Sequence, residues 1–229
     1  MKDRWLVLLL CIFAVASFFA AMMFGVENYT FGKVVDTLFS GGADRAGGIL
    51  YEIRLPRVLA AFLAGLMISI SGLIMQTVTH NDLSEPSILG VNAGANFAIV
   101  AATLVLPVLS FAAMLAAGFL GGLVVGVVIL FVTRFRSPIH LILAGAGISL
   151  FLYAVTDFLV ITNNLGQYVA FFTSGGAAGV SLGELAAIAP VAVVIIAILY
   201  ILSKELDVFL FGEEMAASLG QNQIGRAHV

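Results

Sequence analysis

The sequence predicts an all-α fold, a polytopic bundle of membrane-crossing helices, and three observations carry that prediction. Hydrophobic residues make up 62% of the 229 positions and charged residues only 10%, with a mean hydropathy of +1.14. That composition suits lipid rather than water as the surrounding solvent. Apolar stretches recur at about 5–25, 58–79, 90–107, 110–133, 139–162 and 185–203, and roughly 20 helical residues suffice to cross about 30 Å of hydrocarbon. Small residues also repeat at helical spacing within the stretches, as helix pairs need where lipid offers no hydrophobic drive for association.

Taken in order, the first stretch follows Lys2 and Arg4 as a signal peptide would. Its apolar run exceeds the roughly 7–15 residues of a signal's central region, so it reads as a retained helix. The connection 26–57 carries Lys33, Arg45, Arg54 and Arg57, offset by Glu27, Asp36, Asp44 and Glu52. In the second stretch Ala61, Gly65, Ser69 and Gly72 lie near one stripe, and in the fourth Gly118, Gly122 and Gly126 recur every fourth position. Ordinary bundle packing explains both sets.

Between the second and third stretches stands the polar run "MQTVTHNDLSEPSILGVNAGANF", residues 75–97. Pro86 biases Glu85 away from helix, so the run reads as a turn. The segment after it is short and glycine-broken for a membrane helix. Irregular backbone at membrane depth is tolerated where it is buried in protein or lines a cavity, which makes Asn92 and Asn96 candidate pathway residues. Asp157, inside the fifth stretch, has two readings. An intramembrane carboxylate faces a bundle interior or water path, or else sits near the helix end bonded to Thr156, Thr162 or a neighbouring helix.

Lys and Arg residues concentrate in cytoplasmic loops. An amino terminus inside puts Lys2, Arg4, Arg134, Arg136 and Lys204 in the cytoplasm against the four outer residues of the 26–57 connection. This weakly favours a cytoplasmic amino terminus.

Several function classes drop out. A formal charge of −3 supplies no basic field for nucleic acid, and the single Cys11 builds neither a disulfide framework nor a cysteine metal site. There is no G-x-x-x-x-G-K-[ST] and no H-E-x-x-H. His80 and His140 stand alone near membrane boundaries, whereas a metal site needs convergent ligands. No cofactor, metal or enzyme activity is therefore expected. If a solute is pumped, the energy comes from an ion gradient or from another polypeptide.

The ordered elements "IRLPRVLAAFLAGLMISISGLIMQ" and "NDLSEPSILGVNAGA" resemble the signature of the FecCD-type (iron-siderophore and vitamin B12) ABC importer permeases. The matching positions are Arg54-Leu55-Pro56-Arg57, Asn81, Leu83, Pro86, Leu89-Gly90-Val91, Gly94 and Ala95. "HLILAGAGIS" and "LFGEEMAASLGQN" are similar to further family elements. The resemblance implies a permease domain over 1–229, in the plasma (inner) membrane, with about six of the roughly ten helices usual in the family. It also implies a permease homodimer or heterodimer, separate ATP-binding cassette ATPase subunits and an extracytoplasmic substrate-binding protein.

Carried over residue by residue, Arg54 and Arg57 would dock the binding protein, the alternative being a pair of interfacial anchors. Asn81 and Leu83 would form a cytoplasmic gate, with Asn81 as a turn cap the plainer alternative. Pro138 and Ile139 stand where the family's second gate element has small hydroxyl residues, and Asp82 replaces a common proline. Residues 205–222 would begin the ATPase-coupling segment, with Gly212, Glu213, Ala216, Leu219 and Gly220 facing the partner. The tail 224–229 departs from the family pattern and reads as non-native, which suggests a carboxyl-terminally truncated chain.

Iron-siderophore uptake leads among cargoes, ahead of vitamin B12 and haem. A stand-alone channel, or a carrier driven by protons through Asp157, is the competing class. The segment "GEEMAASLG" argues against it, having no purpose in a self-sufficient carrier.

Overall fold

A computed structural model describes residues 2–42, 44–79, 81–106, 109–133, 138–167, 169 and 179–203, and every regular element among them is helical. Among the described residues, five helices are long and apolar enough to cross a membrane. They are α1 (Lys2–Met23), α4 (Leu55–Thr79), α6 (Phe111–Thr133), α7 (Pro138–Thr162) and α8 (Leu182–Ile201). The described residues cluster into two compact units, one from 2–65 with 179–190 and one from 66–169 with 191–203.

In the first unit the 26–57 connection is itself helical. Short α2 (Phe31–Ser40) starts at Thr30, whose hydroxyl accepts the Lys33 N–H, and ends at Gly41 in the left-handed conformation. Asp44 caps α3 (Arg45–Gly48) by accepting the Gly47 N–H, and its carboxylate also takes the Lys33 ammonium at 2.8 Å. That ion pair holds Asp44 below the ordinary carboxylate range, the Lys33 bond contributing most and the Gly47 N–H next. Met22, Val34, Leu50 and Leu55 form the buried centre.

Between α3 and α4 the chain makes a π-helical turn over Ile49–Arg54. The Leu55 N–H reaches back to the Leu50 carbonyl, and Pro56, fully buried, follows at once. In a regular α-helix the Pro56 ring would meet the carbonyl four residues earlier. The wider π turn relieves that clash while keeping one continuous rod.

In the second unit, a single 3₁₀ turn (Pro86–Leu89) leads to Gly90 at φ 69° and then α5 (Val91–Val105). This helix falls within the expected third stretch, 90–107. Helix α5 has 15 residues, short of the roughly 20 a crossing takes. Its entry is set by Pro86 and the left-handed Gly90. Its exit falls at extended Leu106, the residue before Pro107, where helix is disfavoured.

Helix α5 packs closely on α6. A Cβ placed on Gly94 would lie 2.6 Å from the Gly121 carbonyl oxygen, and one on Gly122 2.9 Å from a Val91 methyl. The fourth-position glycines of α6 are thus packing positions at 118 and 122, joined by Gly121. On α4, a Cβ on Gly72 would meet nothing within 4 Å among the described residues. The last helix, α8, opens with a capping box. Ser181 and Glu184 exchange bonds, the Ser181 N–H donating to the Glu184 carboxylate at 2.8 Å and the Glu184 N–H to the Ser181 hydroxyl at 3.2 Å.

Candidate functional site

Arg54 and Arg57 occupy the junction of the π turn and α4, one helical turn apart, and are treated differently. The Arg54 guanidinium turns inward to the end of α1. One nitrogen donates to the Met22 carbonyl at 2.8 Å and the Met23 carbonyl at 3.3 Å, and the other to the Glu27 carbonyl. Its central carbon stands 4.8 Å from the centre of the Tyr29 ring. Helix ends leave carbonyls without intrahelical partners, so a planar cation with several donors is well matched to this position. The Tyr29 hydroxyl in turn donates to the Glu27 carboxylate at 2.7 Å. That bond raises the phenol's pKa above its ordinary value, reinforced by partial desolvation and the nearby negative charge. Arg57 is exposed, while Arg54 is only half-exposed. Both line a cleft of about 390 Å³ with Phe24, Glu27 and Ile53.

The turn after α4 is held at both ends. The Asn81 side-chain oxygen accepts the Leu83 N–H at 3.0 Å, and its backbone carbonyl accepts the Ser84 N–H at 3.0 Å. Gln76, on the last turns of α4, donates its side-chain amide to the Asp82 carbonyl at 3.0 Å and accepts the Asn81 N–H at 3.2 Å through its backbone. Ser84 is buried, and its hydroxyl is bonded to that of Thr79 at 2.8 Å. Leu83, in contrast, is 87% exposed. Asn81 therefore has the local role of an Asx turn, and the apolar Leu83 side chain on that turn is exposed.

Asn92 is exposed and Asn96 half-buried, four residues apart on α5 beside the packed Ala93 and Gly94. Asp157 is exposed near the end of α7. The Thr156 and Thr162 hydroxyls donate to carbonyls of their own helix, Leu152 and Phe158, at 2.7 Å each. Pro138 and Ile139 begin α7. Gly212, Glu213, Ala216, Leu219 and Gly220, like His80, lie outside the described residues.

Sequence reasoning left Gln76, Thr79, Ser84 and the Tyr29–Glu27 pair unassigned. A polar residue one turn before a helix end, followed by Asn-x-x-Ser, was an available signal for the first three. The Tyr29 contact joins residues far from Arg54 in sequence and has no local signature.

Several known proteins resemble this chain. The sequence profile of the FecCD transport family matches residues 10–225. The Fe(3+)-citrate import system permease protein YfmD of Bacillus subtilis (strain 168) is 32% identical over 179 residues, covering 77% of this chain and 54% of that protein. The ferric enterobactin transport system permease protein FepD of Escherichia coli (strain K12) is 32% identical over 219 residues, covering 93% of this chain and 64% of its own length. The chain thus spans between about half and two thirds of the length of these relatives. A solved structure described as an inward-facing metal-chelate type ABC transporter superposes with a TM-score of 0.78 at 22% identity, over 96% of this chain and 68% of that one. That likeness is one of fold. The profile match spans nearly the whole sequence, and the chain, a multi-pass membrane protein, belongs to the FecCD transport family.

Proposed function

We propose that the chain is the transmembrane permease subunit of an ABC importer carrying an iron-siderophore or related metal chelate into the cytoplasm, with ATP hydrolysed on a separate subunit. The observation that carries this reading is the pairing, in order, of Arg54-Leu55-Pro56-Arg57 with the Asn81 to Ala95 element in a FecCD-family chain. The names of YfmD and FepD support a ferric-chelate cargo.

In this reading two permease copies, or two related chains, pair in the plasma membrane with amino termini in the cytoplasm. The Arg54–Arg57 element meets carboxylates of the extracytoplasmic binding protein, where guanidinium forks give bidentate contact. Asn81 and Leu83, with Pro138 and Ile139, close the inner mouth, and Asn92, Asn96 and Asp157 border the path. Gly212, Glu213, Ala216, Leu219 and Gly220 face the ATPase.

The deciding experiment is reconstitution into liposomes with the ATPase and binding protein, followed by uptake of radioiron-labelled ferric siderophores with cobalamin and haem as competitors. Accumulation that needs both partners and ATP is expected. Uptake driven by a proton gradient without ATP, and abolished by Asp157→Asn, would favour the stand-alone carrier instead.

A further inference from the structure

Helix α2 carries three sides along its length. At about 100° per residue, Val34 and Thr37 fall together on the side that is buried. Phe31, Val35 and Phe39 follow at every fourth position on a second side, where Phe31 is 53% exposed and Phe39 90%. Asp36 and Ser40, both exposed, share the third side with Lys33. A helix on the surface of a water-soluble protein needs two sides, one apolar towards the core and one polar towards water. The exposed apolar row of α2 calls for a third medium.

The place of α2 in the first unit supplies one. Its first residue, Phe31, packs on Phe19 of α1 with ring centres 4.9 Å apart. Phe19 lies inside the stretch Arg4–Met23, which is long and apolar enough to cross a membrane. It stands four residues before the end of that stretch, or about 6 Å at the helical rise. Val34 belongs to the cluster of Met22, Leu50 and Leu55, and Leu38 packs against it. Met22 is next to the last residue of α1, and Leu55 is the first of α4. Helix α2 is thus held where two membrane-crossing helices end and begin, and its apolar row starts from a ring on one of them.

The polar side limits what kind of lipid is needed. Lys33 is paired with Asp44 at 2.8 Å, and Asp36 adds a negative charge. That side has no excess of positive charge to seek anionic head groups, so the attachment comes from apolar area.

We propose that α2 is an interfacial helix, with Phe31, Val35 and Phe39 set among the acyl chains next to the head groups, Asp36 and Ser40 in water, and Val34 and Thr37 against the protein. Helices with an aromatic and aliphatic row beside a polar one lie in the membrane surface in this way, about 5–10 Å into the head-group boundary. Lipid is then the third wall of α2, whatever the cargo of the permease.

The test places one tryptophan on either of two sides at the same end of α2. Trp5 is the single tryptophan of the chain, so Phe39→Trp and Ser40→Trp are made in a Trp5→Phe background. Each is assembled into phosphatidylcholine nanodiscs, which are open to water on both faces. Emission is read against aqueous iodide, and against phosphatidylcholine brominated near the head group or near the chain end. Both positions are exposed, so neither substitution displaces a core side chain.

Phe39→Trp should lose about half its emission or more to bromines near the head group, less to bromines near the chain end and little to iodide, as a depth of about 5–10 Å requires. Ser40→Trp, about 100° away around the helix, should show the reverse, with iodide quenching and bromines without effect. Quenching of Phe39→Trp by iodide and not by bromines would put the row in water and overturn the assignment. Shielding of Phe39→Trp from both quenchers would overturn it as well, in favour of a second copy or another protein segment on that side. Equal bromine quenching of the two variants would remove the sidedness on which the assignment depends and would also overturn it.

Discussion

Replacing Leu83 by alanine separates a gate from a mere turn, because the structure makes two opposite forecasts for one side chain. Leu83 is 87% exposed, so within a single chain its truncation should shift stability by no more than about 0.5 kcal/mol. In a closed dimer the accounting changes. Leu→Ala removes three carbons, and at about 0.8 kcal/mol per fully buried methylene, half-burial at a seam gives about 1 kcal/mol per copy. Two symmetric copies double that. A loss of about 2 kcal/mol from the closed state shifts the open-to-closed ratio roughly 30-fold, since each 1.4 kcal/mol is a factor of ten.

The assay is passive, ATP-independent efflux of a small hydrophilic dye from liposomes containing the assembled permease. It is paired with thermal unfolding of the same preparation. A rise in leak on the order of tenfold with an unchanged melting curve is expected. Leu83→Cys, in a Cys11→Ser background, should also cross-link between protomers at rest and block uptake when linked. Unchanged leak from an intact dimer, together with no cross-link in any nucleotide state, would sink the gate and leave Asn81 as a turn cap alone.

Other outcomes follow from neighbouring geometry. Ser84→Ala should give the reverse pattern, losing about 1 kcal/mol of stability with its buried hydroxyl bond and causing far less leak than Leu83→Ala. Gly94→Ala forces α5 away from the Gly121 carbonyl and should cost about 1–3 kcal/mol by overpacking. Gly72→Ala, with open space around it, should be neutral or slightly stabilising in chemical denaturation.

For Asp44 the sign is set by its lowered folded-state pKa. The stabilisation it gives the 31–48 segment is complete above the ordinary value of 3.8 and is lost as pH falls through the lower folded value. Exchange protection factors in α2 should therefore be flat from neutral pH down to about 5 and fall only below 3.8, whereas Asp44→Asn should lower them at every pH. Beyond the described residues, Gly220→Leu should weaken co-purification of the ATPase subunit or uncouple hydrolysis from uptake.

The sequence by itself determined the solvent and the class of fold. A chain this apolar can satisfy its backbone in lipid by closing its own helical hydrogen bonds, so α1, α4, α6, α7 and α8 were legible within a few residues from hydropathy alone. The turn around Asn81 was legible too, because proline, asparagine and serine act on backbone groups only a few positions away. Helix α5 was legible in place as well, at 90–107 against the observed Val91–Val105, although hydropathy does not register that Gly90 and Leu106 set its ends.

The partners of Arg54 were decided only by tertiary structure. Which carbonyls meet a guanidinium 31 or 32 residues away depends on two helices being brought together, and an arginine before a proline looks the same in sequence whether it faces a partner or the end of its neighbour. The difference between the two glycine stripes has the same origin. Gly94 and Gly121 lie in an interhelical contact while Gly72 meets no other helix among the described residues, because small residues permit close approach but do not specify which helix will make it.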